Sequence, residues 1–285
     1  MLDCPTLDYL RTVCTYLRCI LMIEQILVII GVAIIGFVFA PLGLGGGMLF
    51  VPLIHYIADW PIDGKLIAVS LILTGVVSWG SGITHRKENL VDDNIIKIAL
   101  FGAVPGAILG VIIIQLLSSD LDFIFKSLSL ILISIALSKY LLSNQKIELA
   151  NVSDTDKNIV GITIGSGIGG MLSSILAIGA GAIYVPCLQV FAKLKTRIAI
   201  GSSLNIMMIV VPVSVLSHIV ILSKEQVGFL SEQVFFIFSL VFMTFLGAKY
   251  GASYGIKNIS ENRIRQVFIA ILVVIWIRYL LDIIV

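Results

Sequence analysis

Residues 40–52 read Ala-Pro-Leu-Gly-Leu-Gly-Gly-Gly-Met-Leu-Phe-Val-Pro, setting four glycines and two prolines inside sequence otherwise built of Ile, Val, Leu and Phe. Glycine and proline both interrupt a helix, the first through backbone freedom and the second through its missing N–H. A degenerate second copy stands at 174–186, Ser-Ile-Leu-Ala-Ile-Gly-Ala-Gly-Ala-Ile-Tyr-Val-Pro. A main-chain break in hydrocarbon leaves amides unpaired at several kcal/mol each, so it persists only where protein encloses it or where water and solute reach it. The two breaks therefore mark either plain hinges and close-packing contacts or places where bare backbone is put to use.

The surroundings of those breaks are apolar throughout. Hydrophobic residues make up 59% of the 285-residue chain and charged residues 13%. Mean hydropathy is +1.09, whereas a soluble domain carries roughly 25% charge. These values predict an all-α integral membrane protein, multi-pass. Its apolar segments fall at about 20–58, 64–84, 95–117 and 122–142, then 158–192, 196–222, 233–256 and 264–285. Each is long enough to cross ~30 Å of hydrocarbon, and 8 to 10 membrane segments follow if the two long ones are hairpins. A net charge of +2 gives no support for a nucleic-acid partner. Cys4, Cys14, Cys19 and Cys187 show no metal-ligand spacing and read as apolar residues. No metal or cofactor is expected. Residues 1–20 mix Asp3 and Asp8 with Arg11 and Arg18; they read as an N-terminal extension, not as a cleaved leader.

The segment rhythm occurs twice, at 21–142 and 158–285, with the polar stretch 143–157 as connecting loop. At an offset of 134, Gly31, Gly36, Gly45, Gly47 and Val51-Pro52 fall on Gly165, Gly170, Gly179, Gly181 and Val185-Pro186. At 133, Ser70-Leu71, Ser81 and His85 fall on Ser203-Leu204, Ser214 and His218. At 145, Gly102, Gly106 and Gly110 fall on Gly247, Gly251 and Gly255. Ordered glycine, proline and histidine matches of this extent predict a tandem duplication. Lysine and arginine favour the cytoplasmic face. In the second half they cluster at Lys193, Lys195 and Arg197 and again at Lys257, Arg263 and Arg265. The first-half equivalents carry Asp59, Asp63, Asp120 and Asp122. The halves are thus expected to lie upside down relative to each other: two inverted-topology repeats, each a glycine-broken (re-entrant or short) helical hairpin followed by three transmembrane helices. This arrangement puts 13 of the 19 basic residues inside and both termini outside.

Matching breaks in inverted halves point to a transport site near the bilayer midplane. Consecutive glycine amides and a following helix N-terminus suit an oxyanion. The candidate binding residues are Gly43, Gly45, Gly46, Gly47, Gly179, Ala180 and Gly181, with Ser70, Thr74, Ser202, Ser203 and Asn205 as hydroxyl and amide donors. The apolar runs hold no mid-span carboxylate for a cation. His85 and His218 are candidate proton carriers, although the default reading of each is an interfacial or loop histidine. The small-residue rows at 102–110 and 247–255 are expected to pack helices closely. His55, His85 and His218 are scattered and no acid–base pair accompanies them, so enzyme activity is not expected.

The motif Gly43-Leu-Gly-Gly-Gly47, followed by Val51-Pro52 and by Ala68-Val69-Ser70-Leu71, resembles the sulfite exporter TauE/SafE family of prokaryotic-type membrane permeases, over about residues 24–285. The resemblance implies secondary transport of a small sulfur-containing anion, such as sulfite or an organosulfonate, across the inner (plasma) membrane. The motif positions carried over are Gly43, Gly45, Gly46, Gly47 and Pro52, and Gly179, Gly181 and Pro186. Ala180 interrupts the second glycine run. A passive anion channel on the same scaffold, or a permease for a different small anion, are the alternatives. The expected partners are that anion, the lipid bilayer and a coupling proton.

Overall fold

The computed structural model describes residues 5–40, 46–116, 121–142, 158–177, 179–258 and 261–284. Among them there are helices and no strand: α1 Pro5–Phe39, α2 Gly47–Ala58, α3 Gly64–Lys87, α4 Asp93–Leu116, α5 Leu121–Leu142, α6 Ile159–Leu176, α7 Ala180–Phe191, α8 Thr196–Ile221, α9 Lys224–Glu232, α10 Val234–Asn258 and α11 Glu261–Ile284. A helix satisfies its own backbone, the requirement that hydrocarbon imposes. Six described stretches are long and apolar enough to cross a membrane: Met22–Phe39, Gly64–Lys87, Asp93–Leu116, Ile159–Leu176, Thr196–Ile221 and Val234–Tyr254. Phe101, Phe235 and Val220 stand out from the bundle at 80% exposure or more, a surface that suits acyl chains and not water. The protein is a multi-pass membrane protein.

α1 is one continuous helix from Pro5 to Phe39. The polar stretch after α8 forms α9, closed by a capping box in which Ser223 and Gln226 exchange side-chain bonds to backbone. Gln226 Nε2 donates to Asp63 Oδ2 at 3.3 Å, and Phe229 packs edge-on against Trp60 with centroids 5.0 Å apart. α9 thereby covers the start of α3.

Helix pairing crosses between the halves. α4 packs on α6 and α1 on α10, while α3 packs on α8 and α5 on α11. α4 also meets α8, and α10 meets α3. The close pairs rest on glycine. A Cβ on Gly102 or Gly106 would run into the carbonyl oxygens of Thr163 or Gly167, and one on Gly110 into that of Met171. A Cβ on Gly247 or Gly251 would do the same at Ala33 or Phe37. These are backbone-on-backbone contacts that any side chain would wedge apart.

On the expected equivalence of the two halves, the contacts give the two glycine rows another register than the sequence alignment does. Gly36 faces Thr244 and Ala248, and Gly170 faces Ala103 and Ala107. With Gly36 placed on Gly170, the partners match at an offset of 141, which sets Gly106 on Gly247 and Gly110 on Gly251. The sequence offset of 145 is one helical turn away.

Partner positions fix directions. Gly102, Gly106 and Gly110 descend α4 as Thr163, Gly167 and Met171 descend α6, so the pair is parallel; Gly247 and Gly251 against Ala33 and Phe37 make α10 and α1 parallel too. α3 and α8 run antiparallel: Gly75 faces Val211, Trp79 Nε1 donates to Met208 O at 3.2 Å, and Arg86 reaches Asn205. α5 and α11 are antiparallel as well, with Lys126 beside Asp282 and Trp276 donating to Ser134 Oγ at 2.8 Å.

Candidate functional site

α1 stops at Phe39, where Ser81 of α3 donates its hydroxyl to the Ala40 carbonyl at 2.5 Å. After the break, Gly46 takes a left-handed conformation, φ 69° and ψ −7°, and its carbonyl accepts from Leu49 N at 2.9 Å to start α2. A Cβ there would be strained by that φ and would stand 2.8 Å from Ile35 Cγ2. The need at Gly47 is different: a Cβ would strike the Ala177 carbonyl oxygen and lie 2.5 Å from Thr74 Oγ1. Gly46 is glycine for conformation, Gly47 for room.

The second break is built from other residues. α6 ends at Leu176, Ala177 turns left-handed with φ 50°, and Gly179 is extended before α7 begins at Ala180. Ser174 and Ser214 hydroxyls are 2.7 Å apart, tying the end of α6 to α8 as Ser81 ties the end of α1 to α3. The two breaks meet at Gly47 and Ala177. Thr74 sits at that junction: its hydroxyl is 2.8 Å from Ser70 O and 3.3 Å from Ala177 O and has one proton for both.

α2 and α7 both begin at the junction, and neither has a side-chain cap. Elsewhere α3, α6 and α9 are closed by Asp63, Asn158 and Ser223, while α8, after Lys195, is uncapped as well. First-turn amides have no acceptor within their own helix, and the aligned peptide dipoles put partial positive charge there. Each short helix has 12 residues, about 18 Å in length, less than the ~30 Å of hydrocarbon. Ser70, one turn before Thr74 on the same face of α3, is fully buried and its hydroxyl has no partner.

The remaining sequence candidates separate into groups. Gly43 and Gly45 lie outside the described residues, and Ala180 and Gly181 open α7. Ser202, Ser203 and Asn205 lie in the first three turns of α8 and are engaged there. Ser202 Oγ accepts from Asp92 N at 2.9 Å, Ser203 Oγ donates to Ile200 O at 2.8 Å, and Asn205 accepts from Arg86 Nε at 3.0 Å while donating to Gly201 O at 2.8 Å. Arg86 also pairs with Asp93 at 2.6 Å. This cluster sits at the α3–α4 junction, a little over three turns of α3 beyond Thr74. Both histidines are buried, each against its own half: His85 Nδ1 is 3.0 Å from Ser81 O, and His218 Nε2 is 3.1 Å from Ser174 O. His218 Nδ1 has no partner. Ala177 was missed by sequence reasoning, because an alanine in the left-handed region leaves no compositional trace.

Fold and site together define a helical membrane protein in which two interrupted hairpins meet inside the bundle. Residues 27–279 match the family model described as sulfite exporter TauE/SafE, and the chain belongs to that family. It is 24% identical over 257 residues to the probable membrane transporter protein YunE of Bacillus subtilis, a match covering 81% of this chain and 88% of that one. It is 25% identical over 271 residues to a probable membrane transporter protein of Methanocaldococcus jannaschii, covering 92% and 97% respectively. No solved structure gives a significant match.

Proposed function

We propose that the protein is a secondary transporter of the inner membrane that moves a small sulfur-containing oxyanion, such as sulfite or an organosulfonate, by alternating access. The observation that carries this reading is the junction itself. Gly47, the first residue of α2, meets Ala177, three residues before α7 begins, so two uncapped helix N-termini flank one junction near an unpaired Ser70 hydroxyl. Such a site offers donors and partial positive charge without a lysine or arginine that would hold an anion too tightly for release.

Inverted repeats supply the two access states. A two-fold axis lying in the membrane plane reverses every helix it carries onto its counterpart. The antiparallel α3–α8 and α5–α11 pairs fit that operation, and so does the exchange of the parallel α1–α10 pair with α4–α6. With the basic loops on the cytoplasmic side, the membrane potential drives an anion outward by about 2.3 kcal/mol per charge per 100 mV. Export therefore needs no coupling ion. Uptake would draw on a proton, for which His85 and His218 are the buried carriers available.

The test is thermal stability of purified protein with sulfite, sulfate, thiosulfate, sulfoacetate, taurine and simple carboxylates, followed by flux into proteoliposomes. A ligand selective for the folded protein raises its melting temperature. Saturable flux with counterflow is expected; flux that never saturates would mean a channel, and no response to any oxyanion would sink the anion site. Ser70→Ala should raise stability without ligand by roughly 1 kcal/mol, since it removes a buried hydroxyl that bonds nothing. The same change should weaken anion binding about five- to tenfold. Ser203→Ala, whose hydroxyl is already satisfied, should leave binding unchanged.

A further inference from the structure

The two hairpins, α1–α2 as hairpin one and α6–α7 as hairpin two, are not held alike. Tyr56, in the last turn of α2, donates its hydroxyl to Asp282 Oδ2 of α11 at 2.7 Å. That carboxylate also receives Lys126 of α5 at 3.3 Å and Arg278 at 3.6 Å, and Lys126 continues to Asp122 at 2.9 Å. The Arg278 guanidinium lies over the Tyr56 ring, 4.8 Å from its centroid. Three helices are thus joined at the outer end of hairpin one. Lys126 is only 7% exposed, and a buried ammonium is stable only while its counter-charges stay in place, so the cluster resists being pulled apart.

Among the described residues, the equivalent end of hairpin two shows no such cluster. At the offset that sets Val51-Pro52 on Val185-Pro186, Tyr56 falls on Val190 of α7. Val190 is 53% exposed and has no polar side-chain atom to tie. Among the described residues, the polar ties at the end of α7 stay inside its own half: Phe191 O accepts from Asn158 N at 3.0 Å, and Gln189 donates to Thr196 Oγ1 at 3.0 Å.

We propose that Tyr56, Asp282 and Lys126 form an outer latch that moors hairpin one to the α5–α11 pair, and that hairpin two is the element that moves freely. The inference rests on the alternating-access reading above. Opening the junction to the outside separates α2 from α11 and breaks the Tyr56–Asp282 bond. Opening it to the cytoplasm displaces α7, for which the described residues show no such bond. The resting protein is therefore closed on its outer side, and the latch sets how often it opens there.

Hydrogen–deuterium exchange of the full chain in lipid nanodiscs, without added anion, tests this directly. In the unmodified protein, residues 47–58 should exchange about tenfold more slowly than residues 180–191. Tyr56→Phe keeps the ring and deletes one hydrogen bond to a charged group. It should speed exchange of 47–58 about tenfold and leave 180–191 unchanged. Asp282→Asn should act in the same direction; if it fails to fold, Tyr56→Phe decides alone. Equal exchange of the two segments in the unmodified protein, or no change at 47–58 in Tyr56→Phe, overturns the latch. A parallel arm with sulfite separates the two readings: loss of anion protection at both helix N-termini, with the exchange asymmetry intact, would count against the anion site and leave the mooring standing.

Discussion

Gly47→Ala protein should reach the membrane, keep its helix content and lose at least about nine-tenths of its anion flux. The added methyl points at the Ala177 carbonyl oxygen and at Thr74 Oγ1, so relief comes only by moving the tip of hairpin one away from that of hairpin two. Both obstacles belong to elements that frame the proposed site, and a shift of roughly 1 Å in convergent donors is enough to remove most of their combined effect. Gly46→Val is a less clean probe. Its side chain meets Ile35 and Phe50 of its own hairpin and its backbone is left-handed, so it strains hairpin one itself and should lower stability as well as flux. Flux measured at equal membrane expression checks the prediction, and full flux through Gly47→Ala would remove the meeting of the hairpin tips from the mechanism.

Gly106→Leu should be the most destabilising of these changes, by about 4 kcal/mol or more, with the protein degraded or unable to withstand detergent extraction. The first added carbon already overlaps Gly167 O, and three more follow it into a contact between two backbones. Rotamer changes cannot relieve this, because the obstacle on α6 is main chain. Gly106→Ala should show the same defect at reduced size, about 1–3 kcal/mol. Gly228→Leu serves as control, since nothing lies within 4 Å of a Cβ there, and it should be close to neutral. Melting temperature in a fixed detergent orders the three variants; a Gly106→Leu protein as stable as Gly228→Leu would contradict the packing described for α4 and α6.

Much of this architecture was readable from residue pattern alone. Apolar length announces a helical membrane protein, and the breaks at 40–52 and 174–186 fall where α1 gives way to α2 and α6 to α7. The GxxxG rows lie in close helix contacts, as small residues four apart imply. Their register was not readable: in a row of glycines spaced by four, a slip of one turn sets glycine on glycine again, and only the facing helix distinguishes 141 from 145. The hydroxyl donors show a second limit. Ser70 and Ser203 look equivalent in sequence, yet one hydroxyl is orphaned and the other bonds back to its own helix. Asn205 reads as a membrane-interior donor until Arg86 is seen to reach it from a helix more than a hundred residues away. Which face of α8 meets which neighbour depends on helix direction and pairing, and these are not local properties.

The pairing of α1 with α10 also bears on how the chain is made. Ala33 must wait for Gly247, its backbone neighbour, until more than two hundred further residues have left the ribosome. At 5–20 residues per second that delay is on the order of ten to forty seconds. Through this interval the glycine-lined groove of the nascent first half faces lipid or an insertion chaperone, so neither half should mature without the other. Split genes encoding the two halves should yield functional protein only when expressed together.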